Sequence, residues 1–115
     1  MDEIAAAAWD AWLEGEPLGQ FQQTSRWARC KALDGWMAER ISLDPTQPGR
    51  GGAQLLWKST RLGRMGYVPK GPVVPGEDSK ALIALFGLLE ARAREIGLLA
   101  MIVQPPDQSR ITTDL

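Results

Sequence analysis

Residues 78 to 104 constrain the fold more than any other stretch. Apolar side chains recur at Leu82, Leu85, Phe86, Leu89, Ala93 and Ile96, the spacing of one face of an amphipathic helix. Asp78 or Ser79 stands at its start as N-cap, and Gly97 follows its end. The chain then enters "LLAMIVQ", apolar throughout, which predicts a strand covered on both faces and stopped by "PPD". A long helix leading straight into a buried strand calls for further strands beside it in a sheet.

The residues upstream supply that sheet. Residues 2 to 13 predict a helix, with Asp2 as N-cap, Ile4, Ala5, Ala8, Trp9 and Trp12 as its apolar side, and Gly15 and Pro17 after it. "TSRWARCKAL" predicts a second helix capped by Thr24 or Ser25. Trp27, Cys30 and Leu33 form its buried stripe, Arg26, Arg29 and Lys31 fall away from it, and Gly35 stops it. Residues 36 to 43 and 53 to 59 predict two antiparallel strands around the turn-rich "DPTQPGRGG", and "MGYVP" a third after "TRLGR". The order is helix, helix, three strands, long helix, buried strand. That is a mixed α+β chain whose order resembles the first half of an acetyltransferase-like (GNAT) fold, in which an antiparallel meander leads into a helix and a parallel strand.

Composition narrows the chemistry. A chain of 115 residues with 44% hydrophobic content supports one core, so we expect one domain or part of one over residues 1–115. No apolar run approaches the ~20 residues that span a membrane. The start "MDEIAAAAWDAW" is acidic where a secretory signal is basic, which makes a cytoplasmic location the expectation. One cysteine and no histidine provide neither a disulfide framework nor an ordinary zinc site. They also remove Cys-His and Ser-His-Asp catalysis, both of which need an imidazole base. Net charge is only -1, yet residues 26 to 70 hold nine of the thirteen Lys and Arg side chains against three acids. A basic middle between acidic flanks fits either a local anion site or ordinary solvated charges on strand and helix faces.

Three segments are more specific. "FQQTSRWARCKALDGW" resembles the signature near the start of the FemABX family, the peptidoglycan peptidyltransferases: Gln22 or Gln23, then Ser25, Trp27, Lys31, Gly35 and Trp36. "GYVPKGPVV" resembles the family's Tyr-x-Pro-Arg/Lys-Gly-Pro strand end, through Tyr67, Pro69, Lys70, Gly71 and Pro72. "LLAMIVQPPD" resembles its next strand, which closes on proline. The three occur in the family's order and reach from residue 20 onward.

The resemblance implies a two-domain aminoacyltransferase, of which this chain covers the N-terminal half of the first GNAT-like domain. It implies a muramyl-peptide acceptor, linked to a nucleotide or a lipid, and an aminoacyl-tRNA donor engaged through regions outside this chain. Lys31 is then expected to contact the acceptor's phosphate, since a flexible ammonium suits a diphosphate as a point charge. Its alternative is to snorkel over Trp27 or Trp36. The spacing of those tryptophans favours the core over a ligand platform, and Cys30 fits a small buried hydrophobe.

Lys70, Tyr67 and Gly71 either form a cleft wall stiffened by Pro69, Pro72 and Pro75, or make a plain strand-to-helix connection. No acid or base can be nominated for catalysis. "KGPVVPGEDS" lacks the acetyl-CoA loop of GNAT enzymes, and "WKST" lacks the glycine of a phosphate-binding P-loop, so no cofactor is expected. Two classes stay open: the acceptor-binding part of an aminoacyltransferase, or a non-catalytic module that self-associates or joins a larger assembly through the open edge of its sheet.

Overall fold

The computed structural model describes residues 3–107. Helix α1 (Glu3–Glu14) and helix α2 (Ser25–Ala32) precede strands β1 (Met37–Ser42), β2 (Gly52–Thr60) and β3 (Gly63–Pro69). Helix α3 (Ser79–Ile96) then leads into strand β4 (Leu98–Gln104). The sheet order is β1-β2-β3-β4, antiparallel across the first two pairings and parallel between β3 and β4. This is the order expected for the opening half of a GNAT-like domain. Among the described residues no helix is long and apolar enough to cross a membrane.

Strand alternation divides the side chains between two faces. Ile41, Ala53, Leu55, Trp57 and Val68 meet Leu89 and Ile96 of α3 in the main core. The opposite face carries Arg40, Gln54, Leu56 and Lys58, and its cross-strand partners Met65, Tyr67 and Ile102. Helices α1 and α2 lie on this side, where Trp9, Leu13 and Val73 make a second core. Asp78 proves to be the cap of α3, accepting from the amides of Lys80 and Ala81, and Gly97 ends the helix in the left-handed region at φ 80°.

The buried faces of the first two helices differ from expectation. On α1, Ile4 is 82% exposed and Ala8 is exposed, while Ala6, Trp9 and Leu13 are buried. The Trp9 indole sets that azimuth by donating to the Gln23 carbonyl at 2.7 Å. Asp2, expected as its cap, lies outside the described residues. On α2, Cys30 is exposed and Leu33 is 92% exposed, whereas Ser25 and Ala28 are buried. Asp10 accounts for this, because it accepts from both the amide and the hydroxyl of Ser25 and so turns the small-residue face of α2 toward α1. A two-pronged bond to a carboxylate outweighs burial of one thiol or one leucine at a helix end. Thr24 is the cap, its hydroxyl accepting from the Trp27 amide.

Strand β4 is parallel as expected but is not covered on both faces. It forms the edge of the sheet, and Leu99 and Ile102 are 65% and 61% exposed. Helix α3 covers only the other side, where Met101 and Val103 pack on the core.

A buried polar latch joins the two halves. The Gln23 side chain donates to the Pro69 carbonyl at 2.6 Å and accepts from the Gln54 amide at 2.7 Å. Gln54 in turn donates to the carbonyl of Thr24 at 2.9 Å. Both glutamines are buried, and these bonds replace water they have lost, although Gln54 Oε1 finds no partner among the described residues. The turn before α2 is thereby locked onto the middle of the sheet.

Candidate functional site

Lys31 sits in the last turn of α2, where a cation also meets the negative end of the helix dipole. The chain reverses immediately after it. Gly35 takes φ +85°, a value glycine adopts without a steric penalty, and the Trp36 amide donates back to the Lys31 carbonyl at 3.2 Å. The Lys31 ammonium ends 5.5 Å from the Trp27 ring and 5.6 Å from the Trp36 ring. Phe21 braces Trp27 edge-on at 5.3 Å.

Trp27 and Trp36 are therefore half-buried walls of a lysine cradle and join neither apolar core. For Trp27 the expected core position is corrected by the azimuth that Asp10 imposes on α2, and Trp36, in the corner between α2 and β1, lies beside Lys58 instead of in a core. Each ring face attracts a cation by about 0.5–1 kcal/mol at an exposed site without neutralising it. Among the described residues no carboxylate pairs with Lys31, so its full charge remains available.

Lys58, on β2, completes the cluster. Its ammonium lies 5.8 Å from the Trp36 ring, on the side of the sheet it shares with Met65 and Tyr67. Among the described residues the carboxylate it pairs with is Asp34, at 3.8 Å, which is 74% exposed. Gly35 also borders Lys58 here, and a Cβ at that position would stand at van der Waals distance, 3.4 Å, from Lys58 Cε.

The second predicted group is built differently. Lys70 has φ 57°, and its ammonium is 2.8 Å from Asp107 Oδ1. Asp107 also accepts from Gln20 at 2.9 Å. The Lys70 bond, and after it the Gln20 bond, hold the Asp107 carboxyl below the usual carboxylate range. Tyr67 donates its hydroxyl to Gln104 Oε1 at 2.7 Å. Gly71 makes its close approach to a side chain: a Cβ there would fall 2.8 Å from Gln23 Cδ. Pro69 and Pro72 are buried beside it, and Pro69 supplies the carbonyl that receives the Gln23 amide.

The two predicted lysines share no partner. Lys31 faces outward from an aromatic cradle, and Lys70 is tied to Asp107 as a strut. Gln20 and Phe21, adjacent in sequence, connect the two groups through Asp107 and Trp27.

The arrangement can hold an anion on Lys31 and Lys58. Elsewhere Glu39 is paired with Arg92 and Asp10 with Ser25. Among the described residues no group of three or more His, Cys, Asp or Glu side chains could hold a metal ion. A separate groove of about 650 Å³ between α1 and α2 is lined by Ala6, Ala7, Ala28 and Ala32 with Asp10 and Arg29, and none of the predicted site residues reaches it.

Sequence reasoning missed Lys58. The short "WKST" stretch carries no motif, and only the β1–β2 register, with Met37 opposite Trp57, brings Lys58 beside Trp36. It also missed Asp107 as the partner of Lys70, because their 37-residue separation closes only through the parallel β3–β4 pairing.

Residues 4–114 match the FemAB family. The chain is 33% identical over 98 residues to a lipid II:glycine glycyltransferase of Staphylococcus aureus, covering 84% of this chain and 23% of that protein. The same protein of strain USA300 matches equally. Among solved structures, a crystal structure of FemX is similar with a TM-score of 0.77 and 30% identity, over 91% of this chain and 26% of that one. The chain thus spans about a quarter of the length of the relatives it matches.

Proposed function

Because this chain belongs to the FemAB family, we propose that it is the acceptor-binding part of an aminoacyltransferase acting on a peptidoglycan precursor. The acceptor is a muramyl-peptide that carries a phosphate-linked nucleotide or lipid. The relative from Staphylococcus aureus is named for glycine transfer to lipid II, which supports that substrate class. The donor in this reading is an aminoacyl-tRNA, contacted by parts of the longer relatives that this chain does not match. The acceptor amine attacks the aminoacyl ester carbonyl, the amide bond forms, and the tRNA hydroxyl leaves.

The contribution of residues 3–107 to that reaction is positioning, which in itself supplies much of a transfer rate. The carrying observation is Lys31, held between Trp27 and Trp36 with no carboxylate among the described residues to pair with it. Tyr67 and Lys70, engaged by Gln104 and Asp107, and the buried Gly71 support the β3 end of the fold in this reading and are not among the groups that meet the anion.

The test is titration of the chain with a uridine-diphosphate-linked muramyl-pentapeptide, followed by tryptophan fluorescence. Lys31→Ala is expected to weaken binding by about 1.5–3 kcal/mol, the range for a charge-assisted hydrogen bond, with an unchanged melting temperature. Unchanged affinity overturns the assignment. The exposed β4 edge, with Leu99 and Ile102 open to solvent, favours a second reading as a module that associates through its sheet.

A further inference from the structure

We propose that Lys58 is a second anion-binding residue, forming with Lys31 a two-lysine site for a diphosphate, and that Asp34 is the counter-ion this ligand displaces. The inference rests on the acceptor reading of Lys31 and extends it to a residue outside the signature. Both ammonium groups lie over one indole, Lys31 at 5.6 Å and Lys58 at 5.8 Å from the Trp36 centroid. Trp36 is thus the shared neighbour of two cations, and a ligand carrying two or more negative charges can engage both. A diphosphate meets this need better than a carboxylate, because it presents several acceptor oxygens to two sets of N–H donors.

The local backbone is shaped for this pairing. Gly35, in its left-handed conformation, brings the corner against the Lys58 stem, where a Cβ would meet Lys58 Cε at van der Waals distance, 3.4 Å. Asp34, one residue earlier, is too exposed and too far at 3.8 Å to hold Lys58 tightly. It acts as a weak resident partner, readily exchanged for a ligand oxyanion. The same residues of the Asp-Gly-Trp corner thus place the ring, meet the Lys58 stem and supply the counter-ion.

The experiment titrates the full chain with inorganic pyrophosphate and reads tryptophan fluorescence. Lys31→Ala and Lys58→Ala are each expected to raise Kd at least ~5-fold. Asp34→Asn is expected to lower it by about two- to fivefold. Arg61→Ala, a change to an exposed base in the β2–β3 turn, serves as control and leaves Kd unchanged. Lys58→Gln repeats the test with the stem largely kept, and a thermal melt verifies folding of every variant. Uridine diphosphate and farnesyl diphosphate, probes for nucleotide-linked and prenyl-linked sources, should depend on both lysines, and the tighter one names the source.

Loss of affinity with Lys31→Ala but none with either Lys58 variant overturns the role of Lys58 and leaves the acceptor reading standing. No saturable pyrophosphate binding, or equal loss with Arg61→Ala, overturns the two-lysine site, while the muramyl-peptide titration judges the acceptor reading by itself. Unchanged affinity in Asp34→Asn removes the counter-ion role.

Discussion

Arg92 of α3 grips Glu39 of β1 with two parallel hydrogen bonds, Nε to Oε1 at 2.7 Å and Nη2 to Oε2 at 3.0 Å. Trp57 donates to the same carboxylate at 3.0 Å, so one acid fastens the long helix across the first two strands. The Arg92 bond, followed by the Trp57 bond, holds the Glu39 carboxyl below its ordinary value against the opposing effect of burial.

A depressed folded-state pKa stabilises the protein above the unfolded value of 4.5, and that stabilisation fades as pH falls through the lower folded value. Glu39→Gln should therefore melt below wild type at neutral pH, with the gap closing in acid. Melting curves across a pH series check this. A gap independent of pH would assign the effect to packing instead.

Two glycines should respond oppositely to alanine. At Gly71 the new Cβ would stand 2.8 Å from Gln23 Cδ, so the substitution disrupts the latch and costs about 1–3 kcal/mol. At Gly87, inside α3, nothing lies within 4 Å, and alanine should stabilise by about 0.5–1 kcal/mol. Urea unfolding of both variants measures the contrast.

Among the described residues no strand pairs with the outer edge of β4, where Leu99 and Ile102 are exposed. Light scattering should show an apparent mass that rises with concentration. Ile102→Lys should suppress that rise with little change in melting temperature, because the side chain is 61% exposed and a lysine protects an edge strand. A constant monomer mass in wild type would refute self-association.

Cys30 faces solvent on α2. A maleimide should label it in native buffer, without denaturant, to a single adduct seen by mass spectrometry. Protection until unfolding would restore the buried position that its helical spacing suggested.

Much of the fold was legible because it depends on local order. The period of residues 78–96, the Asp78 cap and the Gly97 stop specify α3 from chemistry within a few residues; the structure repeats the helix, its cap and its stop and buries Leu85, Leu89 and Ile96, while Phe86 of the expected stripe is exposed. The turn-rich stretches between hydrophobic segments likewise define the meander. Helix azimuths were not legible in this way. On α2, hydrophobicity favoured Trp27, Cys30 and Leu33, whereas Asp10, fifteen residues before Ser25, turned that face outward.

The candidate site divides along the same line. Sequence by itself determined the family, the element order and the corner from Asp34 to Trp36, since the backbone freedom of Gly35 and the reach of Lys31 are properties of adjacent residues. Only the tertiary structure decided that Trp27 and Trp36 would cradle a lysine outside both cores, that Lys70 would be neutralised by Asp107, and that Lys58 would join Lys31 over one ring. Those outcomes depend on strand register and helix azimuth. A shift of one residue in the β1–β2 pairing would turn Lys58 to the other face of the sheet, and no property of "WKST" alone opposes that shift.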